Sequence, residues 1–170
     1  MRERPIPSTG RFVGIDYGKR RIGLAISDAA RSIATPWDVY CPKDERQDAA
    51  FFRRLKDEEG VVLFVVGLPV HCDGWESELS QAARSFAQWL ESVTGVPVVF
   101  MDERFSSKTA EVWLTEAAMT KKQRKKRLDK VAAQIILQSY IETFARRNPT
   151  VAVSWEPSGL ADGGGSSAPD

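Results

Sequence analysis

Two short runs near the start of the chain alternate apolar residues with very small ones. Phe12, Val13 and Ile15 are good strand formers, as are Ile22, Leu24 and Ile26. Gly18, Lys19 and Arg20 lie between the runs and read as a tight turn, with Gly18 expected to supply a positive φ. Strand side chains alternate faces, so Val13, Ile15 and Tyr17 share one face while Gly14, Asp16 and Gly18 share the other. The second run repeats the pattern with Gly23, Ala25 and Ser27 on one face. Asp16 is therefore predicted to stand in cleared space on a sheet. A buried, unpaired carboxylate is costly, so a strand that keeps one there points to a use for it. The alternative is an aspartate that caps the hairpin backbone.

The rest of the chain alternates more slowly. Ile33 to Tyr40 reads as a third strand, and Pro36 within it suits a sheet edge. Asp44 and Gln47 have capping-box spacing ahead of a helix with Phe51, Phe52 and Leu55 on its apolar stripe and Gly60 at its end. The run from Val61 to Gly67 is apolar throughout, as in a strand covered on both faces, and Leu68-Pro69 ends it. A loop from Val70 to Glu76 precedes a second helix over Ser77 to Val93, with Leu79, Ala82, Ala83, Phe86 and Leu90 on one face. Val98 to Met101 is the last strand and leads into Asp102-Glu103-Arg104. Ser106 or Ser107 caps a third helix to about Met119, followed by a dense basic loop from Thr120 to Arg127. The final helix begins near Asp129 and runs to about Arg146.

The expected order is βββαβαβαα, an α/β fold. A three-strand antiparallel meander and two strands parallel to the first form a mixed five-stranded sheet with helices on both faces. Residues 1–10 read as a flexible arm, 11–147 as one domain, and 148–170, with their Gly/Ser run, as a disordered tail. In such a sheet, ligands gather at the carboxyl ends of the parallel strands, here Asp16, Leu68-Pro69 and Asp102-Glu103.

Composition narrows the chemistry. The 24 Lys and Arg nearly balance the 23 Asp and Glu, so any field that attracts a polyanion must be local. Cys41 and Cys72 have no metal-ligand spacing, and read as reduced thiols. No apolar run approaches membrane-spanning length and Met1 to Gly10 lack a leader-like core, so a cytoplasmic protein that does not enter membranes is expected. His71 reads as a surface loop residue, and the five Trp are not clustered as a base-stacking platform.

Three acids stand out together. On the last helix Ala133, Ile136, Leu137, Tyr140, Ile141 and Phe144 form an apolar stripe, and Asp129 falls on the same face at its start. It is either an N-cap or an acid aimed at the sheet. Asp102 and Glu103 alternate faces, so only one can join Asp16, and alternation alone does not choose. Carboxylates brought together repel unless a hard divalent cation binds their oxygens. Two such ions activate water and stabilise the leaving oxygen of a phosphodiester.

At this point the chain resembles a known family, the YqgF (RuvX) proteins. These are described as Holliday junction resolvases and regarded as nucleases processing the small-subunit ribosomal RNA precursor. The resemblance spans roughly Arg11 to Phe144. It rests on Gly14-Ile15-Asp16-Tyr17-Gly18 with Arg21-Ile22-Gly23-Leu24-Ala25, on Val66-Gly67-Leu68-Pro69, on Asp73-Gly74, on Asp102-Glu103-Arg104 and on Leu128-Asp129 with Ala132-Ala133. It implies a ribonuclease H-like fold and a site of Asp16, Glu103 and Asp129 holding Mg²⁺ or Mn²⁺, and it is what selects Glu103 over Asp102. Phe105-Ser106-Ser107 and His71-Cys72 depart from the family's usual residues at those places.

The expected activity is phosphodiester hydrolysis in structured nucleic acid at the 5′ end of the 16S ribosomal RNA precursor. Lys19, Arg20, Arg104, Lys125, Lys126 and Arg127 would contact phosphates. The alternatives are a Holliday junction resolvase acting on branched DNA and a non-catalytic nucleic-acid-binding module. An actin- or sugar-kinase-like ATPase needs two such domains, which 170 residues do not supply. The chain shows no heptad run, so a monomer or weak homodimer is expected.

Overall fold

In the computed structural model, residues 5–69, 77–102 and 120–147 are described. The expected loop around His71, the helix from Ser106 to Met119 and the tail from residue 148 lie outside them.

Strand β1 (Arg11–Asp16) pairs antiparallel with β2 (Ile22–Ser27), and β2 pairs antiparallel with β3 (Ala34–Tyr40). Strand β4 (Val61–Leu68) lies parallel to β1, and β5 (Val98–Asp102) parallel to β4. The spatial order is β3-β2-β1-β4-β5, a mixed five-stranded sheet as the pattern predicted. Pro36 does sit on an edge strand. The ladder slips beside it, passing from Leu24↔Asp38 to Ala25↔Pro36, so the β3 residue between them is passed over.

Helix α1 (Glu45–Glu59) starts at the Asp44 cap, whose carboxylate accepts the Gln47 N–H at 2.9 Å, and ends at Gly60 with φ 62°. Helix α2 (Glu78–Thr94) is capped by Ser77. Its buried stripe is Ser80, Ala83, Ala87, Leu90 and Thr94, rotated from the expected one, and Leu79 is exposed. Ser80 goes inward because its hydroxyl donates to the Pro69 carbonyl at 2.5 Å, a bond leucine cannot make.

Helix α3 (Lys121–Arg147) corrects the largest expectation. The basic stretch is not a loop; it forms the first two turns of a 27-residue helix. Thr120 and Gln123 make a reciprocal cap, with the Gln123 N–H on Thr120 Oγ1 at 3.3 Å and the Thr120 N–H on Gln123 Oε1 at 3.1 Å. Lys, Arg and Gln are strong helix formers. That propensity prevails although positive charge at a helix start opposes its dipole. Asp129 is consequently not an N-cap.

The two sheet faces carry separate cores. Val13, Ile15, Ile22, Leu24, Phe64, Val66 and Leu68 pack against Phe52 and Leu55 of α1 and Ala83, Ala87 and Leu90 of α2. Phe12, Ala25, Leu63 and Val65 pack against Ala133, Ile136, Leu137 and Ile141 of α3. Trp37 and Trp89 join the first core at its rim. Arg31 ties the N-terminal stretch to the sheet: it donates to the Gly10 carbonyl at 2.8 Å and the Pro7 carbonyl at 2.7 Å, with its guanidinium over the Phe12 ring.

Candidate active site

Asp16 ends β1, at the carboxyl end of the parallel part of the sheet. Its antiparallel partner is Gly23, which places both residues on one face. The same face holds Gly14, where an added Cβ would stand 2.6 Å from Leu137 Cβ and 2.7 Å from the Ala133 carbonyl oxygen. At Gly23 an added Cβ would stand 2.1 Å from the Asp129 carbonyl oxygen. The clearing expected around Asp16 is real in side chains but is filled by helix backbone. Gly14 and Gly23 are small because α3 lies directly on the sheet there, and this contact carries Asp129 to the strand position opposite Asp16.

Gly18 serves a related purpose. Its φ is not positive; a Cβ there would meet the Arg21 carbonyl oxygen at 2.5 Å, so closeness of backbone, not handedness, requires glycine.

Arg21 follows that turn, and strand alternation puts it on the face of Gly23. Its Nε lies 3.0 Å from Asp129 Oδ2, with side-chain exposures of only 24% and 19%. The contact is an ion pair without hydrogen-bond alignment, and neither atom has a hydrogen-bond partner among the described residues. Burial raises the Asp129 pKa above its ordinary value; Arg21 and Lys125 pull it back down, Arg21 more strongly. Asp129 is therefore a part-buried carboxylate held by charge against Arg21, its Oδ2 accepting no aligned hydrogen bond among the described residues. Arg21 was not singled out from the sequence for a role of its own, although its alternation with Gly23, Ala25 and Ser27 was legible.

A second pair of residues outside the sequence reading fixes where α3 lies. The Ala34 N–H donates to Gln138 Oε1 at 2.8 Å, and Gln134 Nε2 donates to the Ala34 carbonyl at 3.0 Å. Two glutamines one helical turn apart thus occupy both backbone groups of the first residue of β3.

The adjacent acids separate by face. Val99 and Met101 join the α3-side core, whereas Phe100 lies under the Arg84 guanidinium of α2, 5.3 Å away. Asp102, paired with Leu68 of the α1/α2 core, continues on the Phe100 side, away from the face of Asp16. Glu103 and Arg104 lie outside the described residues. Among the described residues no group of three or more His, Cys, Asp or Glu stands ready to hold a metal ion. Lys19 and Arg20 are exposed in the β1–β2 turn, and Lys125, Lys126 and Arg127 are exposed on α3 just before Asp129.

Comparison with known proteins fits this frame. A family model described as "RuvX: Holliday junction resolvase" matches residues 10–143. A protein of Rhodopirellula baltica named "Putative pre-16S rRNA nuclease" is 42% identical over 145 residues, covering 85% of this chain and 84% of its own. One of the same name from Nitrosospira multiformis is 41% identical over 144 residues, covering 85% and 93%. The fowlpox virus resolvase, solved with a Holliday junction DNA substrate, superposes with a TM-score of 0.50 at 10% identity over 79% of this chain and 98% of that one, a likeness of fold.

Proposed function

This chain belongs to the RuvX family, and from that premise we propose that it is a divalent-metal-dependent nuclease that hydrolyses phosphodiester bonds of the 16S ribosomal RNA precursor. The observation that carries the proposal is the seating of Asp129 over Gly23, the residue opposite Asp16. It brings the Asp129 backbone, more than a hundred residues on in sequence, to the strand position opposite Asp16 at the carboxyl end of β1.

The donor set is all oxygen and suits Mg²⁺ or Mn²⁺. Asp129 Oδ2 lies against the Arg21 guanidinium but accepts no aligned hydrogen bond among the described residues, which leaves it acceptor capacity for an ion. Asp16 and Asp129 would hold the ion, with Glu103 as the third acid. The α3-facing positions of β5 are 99 and 101, an alternation that favours 103 over Asp102. A bound ion would acidify a water and stabilise the leaving oxygen. Arg21 keeps the Asp129 carboxylate in place above the sheet. Lys19, Arg20, Arg104, Lys125, Lys126 and Arg127 would draw phosphates toward the acids and offset their repulsion of a polyanion.

The family description also names a junction resolvase activity, which needs two sites on a two-fold axis to cut paired strands. We favour RNA because the relatives at about 40% identity carry the ribosomal RNA name and the basic residues gather beside a single site. In this reading the protein acts as a monomer or weak homodimer in the cytoplasm. No described helix is long and apolar enough to cross a membrane.

Cleavage assays on precursor RNA and on a four-way DNA junction, with Mg²⁺ or Mn²⁺ and with mass measured by light scattering, test the choice. Cleavage of RNA by a monomer is expected. A stable dimer making symmetric nicks in the junction and inert on RNA would overturn the substrate while leaving the acids in place.

A further inference from the structure

Helix α3 runs antiparallel to β1. Phe144 and Tyr140 pack on Phe12, Leu137 and Ala133 on Gly14, and Asp129 on Gly23. The eight residues before Asp129 therefore continue past the end of the sheet by about 12 Å of helix. Residues 121–127 of this overhang are exposed, and six of the seven are Lys or Arg. Positive charge in the first turn opposes the helix dipole, and no acid offsets it there. The overhang thus accepts an electrostatic cost that a polyanionic partner would reverse.

The charges are not spread evenly around the helix. At 3.6 residues per turn, Lys122 and Lys126 fall within about 30° of the centre of the sheet-facing stripe formed by Ala133, Ile136, Leu137 and Tyr140. Arg124 points to the opposite side, and Arg127 is turned well away from that stripe. Lys125 flanks the stripe and is close enough to act on the Asp129 carboxyl. The stripe that packs on the sheet inside the domain becomes a cationic stripe outside it.

We propose, building on the nuclease reading, that Lys122 and Lys126 are a docking rail for the phosphodiester backbone of the one strand that enters the site, holding phosphates flanking the scissile bond. Arg124 takes no part. The two lysines are separated by four residues, about 6 Å of helix rise, so they meet different phosphates of one strand. Lys122 is the new member, because proximity in sequence to Asp129 does not select it while the helical period does.

The test measures binding of the full chain to a short fluorescein-labelled single-stranded RNA by anisotropy, in EDTA, across a NaCl titration. Lys122→Gln with Lys126→Gln should weaken binding and lower the log–log salt slope by about 1.4, roughly 0.7 for each phosphate contact on a single strand. Arg124→Gln should leave affinity and slope unchanged. Equal losses from Arg124→Gln and from either lysine variant would overturn the proposal in favour of a diffuse field, and an unchanged slope in the double variant would overturn it outright. Circular dichroism of each variant checks that α3 still forms. Wild-type protein that binds with the predicted slope but does not cleave with Mg²⁺ would sink the nuclease reading and leave the rail standing.

Discussion

Asp129 rests on Gly23 so closely that a single added methyl group would stand 2.1 Å from its carbonyl oxygen. Because Gly23 is the strand partner of Asp16, this helix–sheet contact brings the Asp129 backbone to the strand position opposite Asp16. Gly23→Ala must push α3 outward. We expect a loss of about 1–3 kcal/mol in urea unfolding, the usual cost of overpacking. A carboxylate displaced by about 1 Å should lower cleavage by about 100-fold. Full cleavage by a folded Gly23→Ala variant would show that this contact does not position Asp129 for cleavage.

The Asp129 carboxyl is raised from its ordinary value because burial outweighs its two basic neighbours. The folded state therefore holds this proton more tightly than the unfolded chain. Its contribution to stability is complete below the unfolded pKa and is lost as pH rises through the folded pKa. Asp129→Asn removes that loss. In metal-free buffer the variant should melt at or above the parent temperature at neutral pH, with the difference vanishing under acid conditions, and it should not cleave. A variant that melts lower at neutral pH than the parent would mean that the Arg21 pair outweighs desolvation.

Much of this arrangement was legible in the chain, and its limits have physical causes. The period-two pattern around Asp16 located the carboxylate and the small-residue faces, but small residues read equally as open space and as a seat for a helix, and α3 takes the seat. The basic run read as a loop, but the Thr120–Gln123 cap and the helix propensity of Lys and Arg make it the start of α3. Asp102 was separated from the site only by register, since Phe100 and Met101 face different helices. Arg21 and Gln138 act through contacts to residues about a hundred positions away, which no local pattern records.

The Gln138 contact can be checked directly. Gln138→Leu leaves the buried side of the Ala34 N–H without its acceptor, which should cost about 1–3 kcal/mol in global unfolding. Hydrogen exchange at Ala34 should accelerate first, since β3 is an edge strand. Unchanged exchange at Ala34 would show that α3 is held in register without this bond.

The central claim is that Asp16 and Asp129 together form the seat of a metal-dependent cleavage site. Its most direct measurement is the single-turnover cleavage rate of precursor RNA by wild-type protein and by Asp16→Asn, with Mg²⁺ and with EDTA, alongside RNA binding of both proteins. The account predicts that wild-type cleavage requires Mg²⁺ and that Asp16→Asn binds RNA as the parent does without cutting it. Undiminished wild-type cleavage in EDTA, or full cleavage by Asp16→Asn, would contradict it.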